Sequence, residues 1–187
     1  MKYKGLNNRR PQASHRGFTL VETALATVII GVGVLSIMAA QQSFHQKNQW
    51  STQLAIAMRL GNEIRELSLN LPHHDPVTSE SYWGPEPNEN WVGDFDDMDD
   101  FDGMNGQGLI FSSGLGNGPI NSMREIITDM DGWSQSVSVH NVDPFDITET
   151  LEDGVSNMIK VQVIIEYQGP QDPDPVEMTR VGWIVPG

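Results

Sequence analysis

Residues 18–40 read FTLVETALATVIIGVGVLSIMAA, 23 positions in which Glu22 is the single charge. As a helix rising about 1.5 Å per residue, this run reaches roughly 35 Å and can cross a hydrocarbon core of about 30 Å. The rest of the 187-residue chain is long enough for one domain with a modest core. Three readings of the run compete. A cleaved secretory signal needs an apolar core of only about 7–15 residues before a small-residue site, which Met38-Ala39-Ala40 mimics loosely. A plain single-pass anchor accounts for the length but leaves Glu22 unexplained, because a carboxylate in a membrane helix is costly and implies a partner. A helix that assembles with copies of itself accounts for both.

Charge is divided sharply along the chain. Residues 1–17 carry Lys2, Lys4, Arg9, Arg10 and Arg16 and no acid, whereas the remainder holds six bases against 25 acids. Under the positive-inside rule the basic end stays cytoplasmic and the acidic body crosses the membrane. Such a body is repelled by phosphate backbones, so no nucleic-acid partner is expected, while cations and basic partners stay open. There is no cysteine, which excludes disulfides, thiolate metal sites and a cysteine nucleophile. An exported body of this kind must hold its loops by other means.

Arg16-Gly17-Phe18-Thr19-Leu20-Val21-Glu22 resembles the cleavage and methylation motif of type IV prepilins and type II secretion pseudopilins. In that family a basic leader ends at Gly, and a Phe-Thr-Leu-x-Glu apolar helix follows. GVGVLSIMAAQQ, further on, is similar to the minor-subunit variants. The resemblance implies that a prepilin peptidase/methylase of the inner membrane cuts between Gly17 and Phe18 and methylates the new Phe18 amine. It also implies that the carboxylate of Glu22 neutralises an amino-terminal charge as the subunit enters a filament. A glycine at the cleavage point fits a peptide that must lie extended in a narrow site, since it has no Cβ to clash. Thr23, Thr27 and Gly31 recur every four residues on one face, the small-xxx-small spacing that brings helix backbones together in lipid, although small residues are also common in membrane helices generally.

Proline is absent from residues 18–71 and Pro72 follows, so one helix of 54 residues, about 80 Å, is expected over 18–71. Leu60, Ile64, Leu67 and Leu71 form a stripe in its second half, the mark of a face packed on a folded body. Residues 72–122 are rich in Pro, Gly, Asn and Asp and predict an irregular insertion with a short strand at 109–111. Strands are expected where Trp133, Val137 and Val139 alternate with serines, where Ile159, Val161, Val163, Ile165 and Tyr167 alternate with polar residues, and at Val181, Trp183 and Val185. The expected fold is α+β and pilin-like: the long helix on an antiparallel sheet of three to four strands, within an acidic head at 72–187 whose sheet lies in 123–187.

The head offers one candidate metal site. Asp94, Asp96, Asp97, Asp99, Asp100 and Asp102 crowd into nine residues and are followed by Gly103, and hard oxygen ligands with a glycine turn suit Ca²⁺. The pattern is not an EF-hand, because the twelfth loop position would be Leu109 and not Glu. The opposing reading is a solvated acidic loop tacked to the body by Phe95, Met98 and Phe101 at every third residue. His73-His74-Asp75 reads as a polar helix stop, since adjacent residues seldom share an ion and no third ligand is close in sequence. His140 falls on the serine face of a strand and is expected to be exposed. Asp129-Met130-Asp131-Gly132 reads as a turn whose acids could join a cation site. Trp83, Trp91 and Trp133 are expected to fill a core or pin the insertion. No nucleophile elbow is present, and 114–118 lacks the helix that a phosphate loop requires.

The expectation is therefore a non-enzymatic filament subunit of the minor pilin or pseudopilin kind. Its partners would be the peptidase/methylase, other subunits and the inner-membrane assembly machinery. It would sit in the inner membrane with a cytoplasmic amino terminus before entering a pilus or pseudopilus. The alternative is a membrane-anchored extracytoplasmic protein that binds Ca²⁺ or another ligand and does not polymerise.

Overall fold

The computed structural model describes residues 17–75, 83–104 and 106–186; the basic leader expected over 1–17 lies outside them except for Gly17. The chain divides into two units, Met1–Asn48 and Gln49–Gly187. The architecture is α+β: one long helix and a four-stranded antiparallel sheet.

Helix α1 spans Leu20–Ser68, 49 residues. Its start is fixed by a reciprocal cap. Thr19 N donates to Glu22 Oε2 at 2.8 Å and Glu22 N donates to Thr19 Oγ1 at 3.3 Å, which satisfies two backbone donors that a helix end otherwise leaves open. The expected end at Leu71 is three residues too far. Ser68 Oγ donates back to Arg65 O at 2.6 Å, and Leu69 N, Asn70 N and Leu71 N each bond three residues back, tightening the chain ahead of Pro72.

Within the first unit every described side chain of the helix is exposed, including Ile30 at 66% and Leu35 at 68%. This is the one helix of the described residues long and apolar enough to cross a membrane by length and composition. In the second unit the stripe behaves as its spacing requires: Ala57, Leu60, Ile64 and Leu67 are buried, and Leu71 packs on the same core from beyond the helix end.

The strands are β1 Leu109–Ser112, β2 Trp133–Asn141, β3 Ile159–Tyr167 and β4 Val176–Val185, paired in sequence order. Val137 pairs with Val163 and Val139 with Val161, so the alternation places both rows on the face that meets the helix. Strand β4 starts five residues before the expected Val181: Thr179 pairs with Ile165, and past a register shift Glu177 and Val176 pair with Glu166 and Tyr167.

Two contacts bring helix and sheet together. A Cβ on Gly61 would lie 2.9 Å from Val181 Cγ2, so a side chain there would push the helix away from the sheet. Gln135 sits on the apolar face of β2, fully buried. Its Nε2 donates to Leu60 O and Ile120 O at 3.0 and 3.1 Å, and its Oε1 accepts from Ile120 N at 2.7 Å. A buried amide with all of these partners ties α1, β2 and the chain before Asn121 into one hydrogen-bonded unit.

Candidate functional site

At the start of α1 the structure places Gly17, Phe18, Glu22, Thr23, Thr27 and Gly31 in exposed positions. Glu22, Thr23, Thr27 and Ser36 have partners within their own chain. Glu22 Oε2 also accepts from Thr19 Oγ1 at 3.0 Å, Thr23 Oγ1 donates to Leu20 O at 2.9 Å, Thr27 Oγ1 to Thr23 O at 2.8 Å and Ser36 Oγ to Val32 O at 2.8 Å. A helix whose hydroxyls bond its own carbonyls presents little unmet polarity to lipid or to another helix.

In the insertion, Phe95, Met98 and Phe101 are buried at the expected period of three, and Phe95 meets Phe101 edge-on at 5.3 Å. They draw the acids between them inward. Asp97, Asp99, Asp100 and Asp102 are all 2% exposed or less, while Asp94 and Asp96 face solvent. The solvated-loop reading is thus corrected for four of the six acids: the aromatic triplet spacing pulls the 3₁₀ turn Asp99–Asp102 into the core.

Three of the six are acceptors for structure outside the run. Asp94 Oδ2 accepts from Asn90 N and Trp91 N at 3.3 and 3.2 Å. Asp99 Oδ1 accepts from Gly84 N at 2.9 Å, and its Oδ2 lies 2.6 Å from His74 Nδ1. Asp102 Oδ2 accepts from Trp83 Nε1 at 3.0 Å, and its Oδ1 accepts at 3.3 Å from Val139 N, a strand amide beyond the end of β1. Buried backbone and indole donors need acceptors, and these two aspartates supply them.

The other three gather with acids that sequence separation had hidden. Ligand atoms of Asp96, Asp97 and Asp100 lie within 4.8 Å of one another, as do those of Glu86, Glu89 and Asp100. Burial, together with the neighbouring Glu86 and Asp100, pushes the Glu89 carboxyl up to about 8. Burial and the charges of Asp99 and Asp100 push Asp97 up to about 9. Burial raises Asp100 to about 6 against the backbone N–H groups of Asp96 and Asp97 that favour its charge. Asp96 is raised by its partial desolvation and by Asp75 and Glu86.

The remaining candidates fall elsewhere. His74 is drawn to Asp99, so 73–75 is more than a helix stop, and its ring stands 5.5 Å from that of Trp83. Asp129 and Asp131 are exposed in the turn before β2 and belong to neither carboxylate group. His140 is half-buried, not exposed as expected. Trp133 is buried against Tyr167, and Trp83 pins the insertion through Asp102. Trp91, at 77% exposure, does neither. Glu86 and Glu89 went unnoticed in the sequence; a pair of glutamates three apart, followed by an Asp run, was the available signal.

Comparison with known proteins finds no matching family model, no similar curated protein and no similar solved structure.

Proposed function

We propose that this chain is a pilin-like structural subunit, a minor pilin or pseudopilin, that is cut between Gly17 and Phe18 and assembles through its exposed apolar helix. The observation that carries this reading is the junction of two features in one helix. The RGFTLVE motif opens a segment that is apolar on every side and exposed throughout, and the same helix ends packed on an antiparallel sheet. A stripe-faced helix would need only the sheet; an all-round apolar one needs lipid or other copies of itself. In this reading the basic leader stays cytoplasmic and the acidic head is extracytoplasmic. Thr23, Thr27 and Gly31 form the close-packing face, and Glu22 pairs with an amino-terminal charge in the filament. The chain does no catalysis.

Intact-mass measurement and amino-terminal sequencing of protein purified from membranes test this, beside a Glu22→Ala variant. The expected start is N-methyl-Phe18, with the variant processed but missing from sheared filaments. A start at Met1 overturns the proposal and leaves the anchored, non-polymerising binding protein, and a start at Gln41 overturns it and leaves a secreted one; the buried carboxylates of the insertion favour a binding role in either case.

A further inference from the structure

We propose that the insertion binds one Ca²⁺ ion between Glu86, Glu89 and Asp100, and that the ion fastens residues 86–89 to the 3₁₀ turn. The site does not depend on where the chain is processed or whether it polymerises.

Acidic composition alone would not carry this. The deciding atom is Asp100 Oδ1. Asp100 is completely buried; its Oδ2 accepts from Asp96 N and Asp97 N at 3.0 and 3.3 Å, while Oδ1 has no hydrogen-bond donor among the described residues. Its buried neighbours Asp99 and Asp102 use both of their oxygens. A buried carboxylate oxygen left without a donor is costly, so Asp100 calls for an electropositive partner, either the proton of the neighbouring Glu89 carboxyl or a cation that displaces it. Among the described residues the ion pairs are His74–Asp99 and Arg180–Glu177, so no lysine or arginine ion-pairs with Glu89 or Asp100.

The spacing admits a bound cation, and the donor set favours a hard one. Oxygens bound to Ca²⁺ at about 2.3–2.6 Å stand at most about 5 Å apart across the ion, and the ligand atoms of Glu86, Glu89 and Asp100 lie within 4.8 Å of one another. The donor set is all oxygen, which suits a hard cation, and His74, the nearest nitrogen ligand, is engaged with Asp99. Mg²⁺ requires near-ideal octahedral geometry and keeps most of its water, whereas Ca²⁺ accepts an irregular set completed by carbonyls and water. Of the two carboxylate groups this one is the better enclosed, with Glu89 and Asp100 buried and Glu86 half-buried; in the other, Asp96 is exposed and Asp97 Oδ1 already accepts from Asp99 N and Asp100 N. Asp96 and Asp97 add negative potential beside the ion. In a chain without cysteine, such an ion does the stapling that a disulfide does elsewhere.

Calorimetric titration of the EGTA-stripped full chain in detergent micelles with CaCl₂, together with thermal unfolding, tests the site. Expected are one ion per chain and a raised unfolding midpoint that MgCl₂ at equal ionic strength does not reproduce. Glu89→Gln and Asp100→Asn should each abolish the binding heat and the shift. Asp131→Asn, in the exposed turn before β2, should keep both. Glu89→Gln retains an acceptor for Glu86 N, so it stands as the decisive variant if Asp100→Asn loses the native near-UV circular dichroism. Absence of binding by the wild type, an equal response to Mg²⁺, unchanged binding by Glu89→Gln, or an equal loss in Asp131→Asn overturns the proposal, the last by reducing it to a diffuse acidic surface.

Discussion

Helix α1 contains two regions with the same backbone and opposite surroundings. Residues 20–48 are exposed on every side, Ile29 and Ile30 included, whereas Leu60 and Ile64 have no exposed surface. The pattern of apolar residues separates them. Over residues 20–40 they recur without a polar face, so no single sheet could cover them; in the second region they form a stripe that one sheet face can cover. The sharpest test of the contrast replaces one isoleucine in each. Ile64→Ala should lower the stability of the head by about 2–5 kcal/mol through lost burial and the cavity left behind. Ile30→Ala should leave the head's unfolding midpoint unchanged. Chemical denaturation followed by near-UV circular dichroism measures both, and equal effects would erase the distinction.

The stripe at Leu60, Ile64 and Leu67 was legible because burial on one side repeats with the helical period, and β3 was legible over 159–167 because burial alternates. Both signals are local. Gln135 carried none: a glutamine between serines reads as one more polar residue, and only the fold brings Leu60 O and Ile120 to it. Gln135→Leu keeps approximate volume but strips the acceptor from Ile120 N and the donor from Leu60 O. A loss of about 1–3 kcal/mol is expected, in the range for buried polar groups left unpaired. A neutral result would mean that the apolar stripe alone holds helix and sheet together.

A second contrast runs inside the Asp-rich segment. Its composition pointed to a cation, but the sequence could not tell which acids would serve as acceptors for the fold. His74 reaches Asp99 across 25 positions, and Glu86 and Glu89 approach Asp100 from outside the run. Asp99 and Asp102 have donors from outside the run on both oxygens; Glu89, Asp97 and Asp100, which accept from nearby backbone N–H groups, are also crowded by one another and by Glu86, Asp96 and Asp99, with Arg124 acting on Asp96. Their folded carboxyls are raised, to about 8 for Glu89 and about 9 for Asp97, above unfolded values of about 4. A raised carboxyl binds its proton more tightly when folded, so its contribution is present below pH ~4 and is lost as pH climbs through the folded value. The metal-free head should therefore lose stability gradually from about pH 5 to 9, the loss spread over the range because several groups share the protons. Unfolding midpoints in EGTA across that range measure it. A midpoint that rises with pH contradicts the crowding.

The smallest expected effect returns to the first region and asks whether its helix end is set by its own residues. Thr19 and Glu22 cap α1 reciprocally, so the carboxylate that looked out of place in an apolar run has a local use before any partner arrives. Thr19→Ala removes the hydroxyl that accepts from Glu22 N and donates to its carboxylate. The cost is about 0.5–2 kcal/mol for a cap of this type, at the lower end for an exposed helix terminus. The bonds of this cap all run within residues 19–22, so the global midpoint should stay fixed while amide exchange over the first helical turn, measured in micelles, accelerates several-fold. Faster exchange confined to that turn would show that Glu22 caps its own helix, a use of the carboxylate that does not depend on any partner. Unchanged exchange would mean that surrounding lipid or detergent holds the turn, and that the cap does not account for the carboxylate.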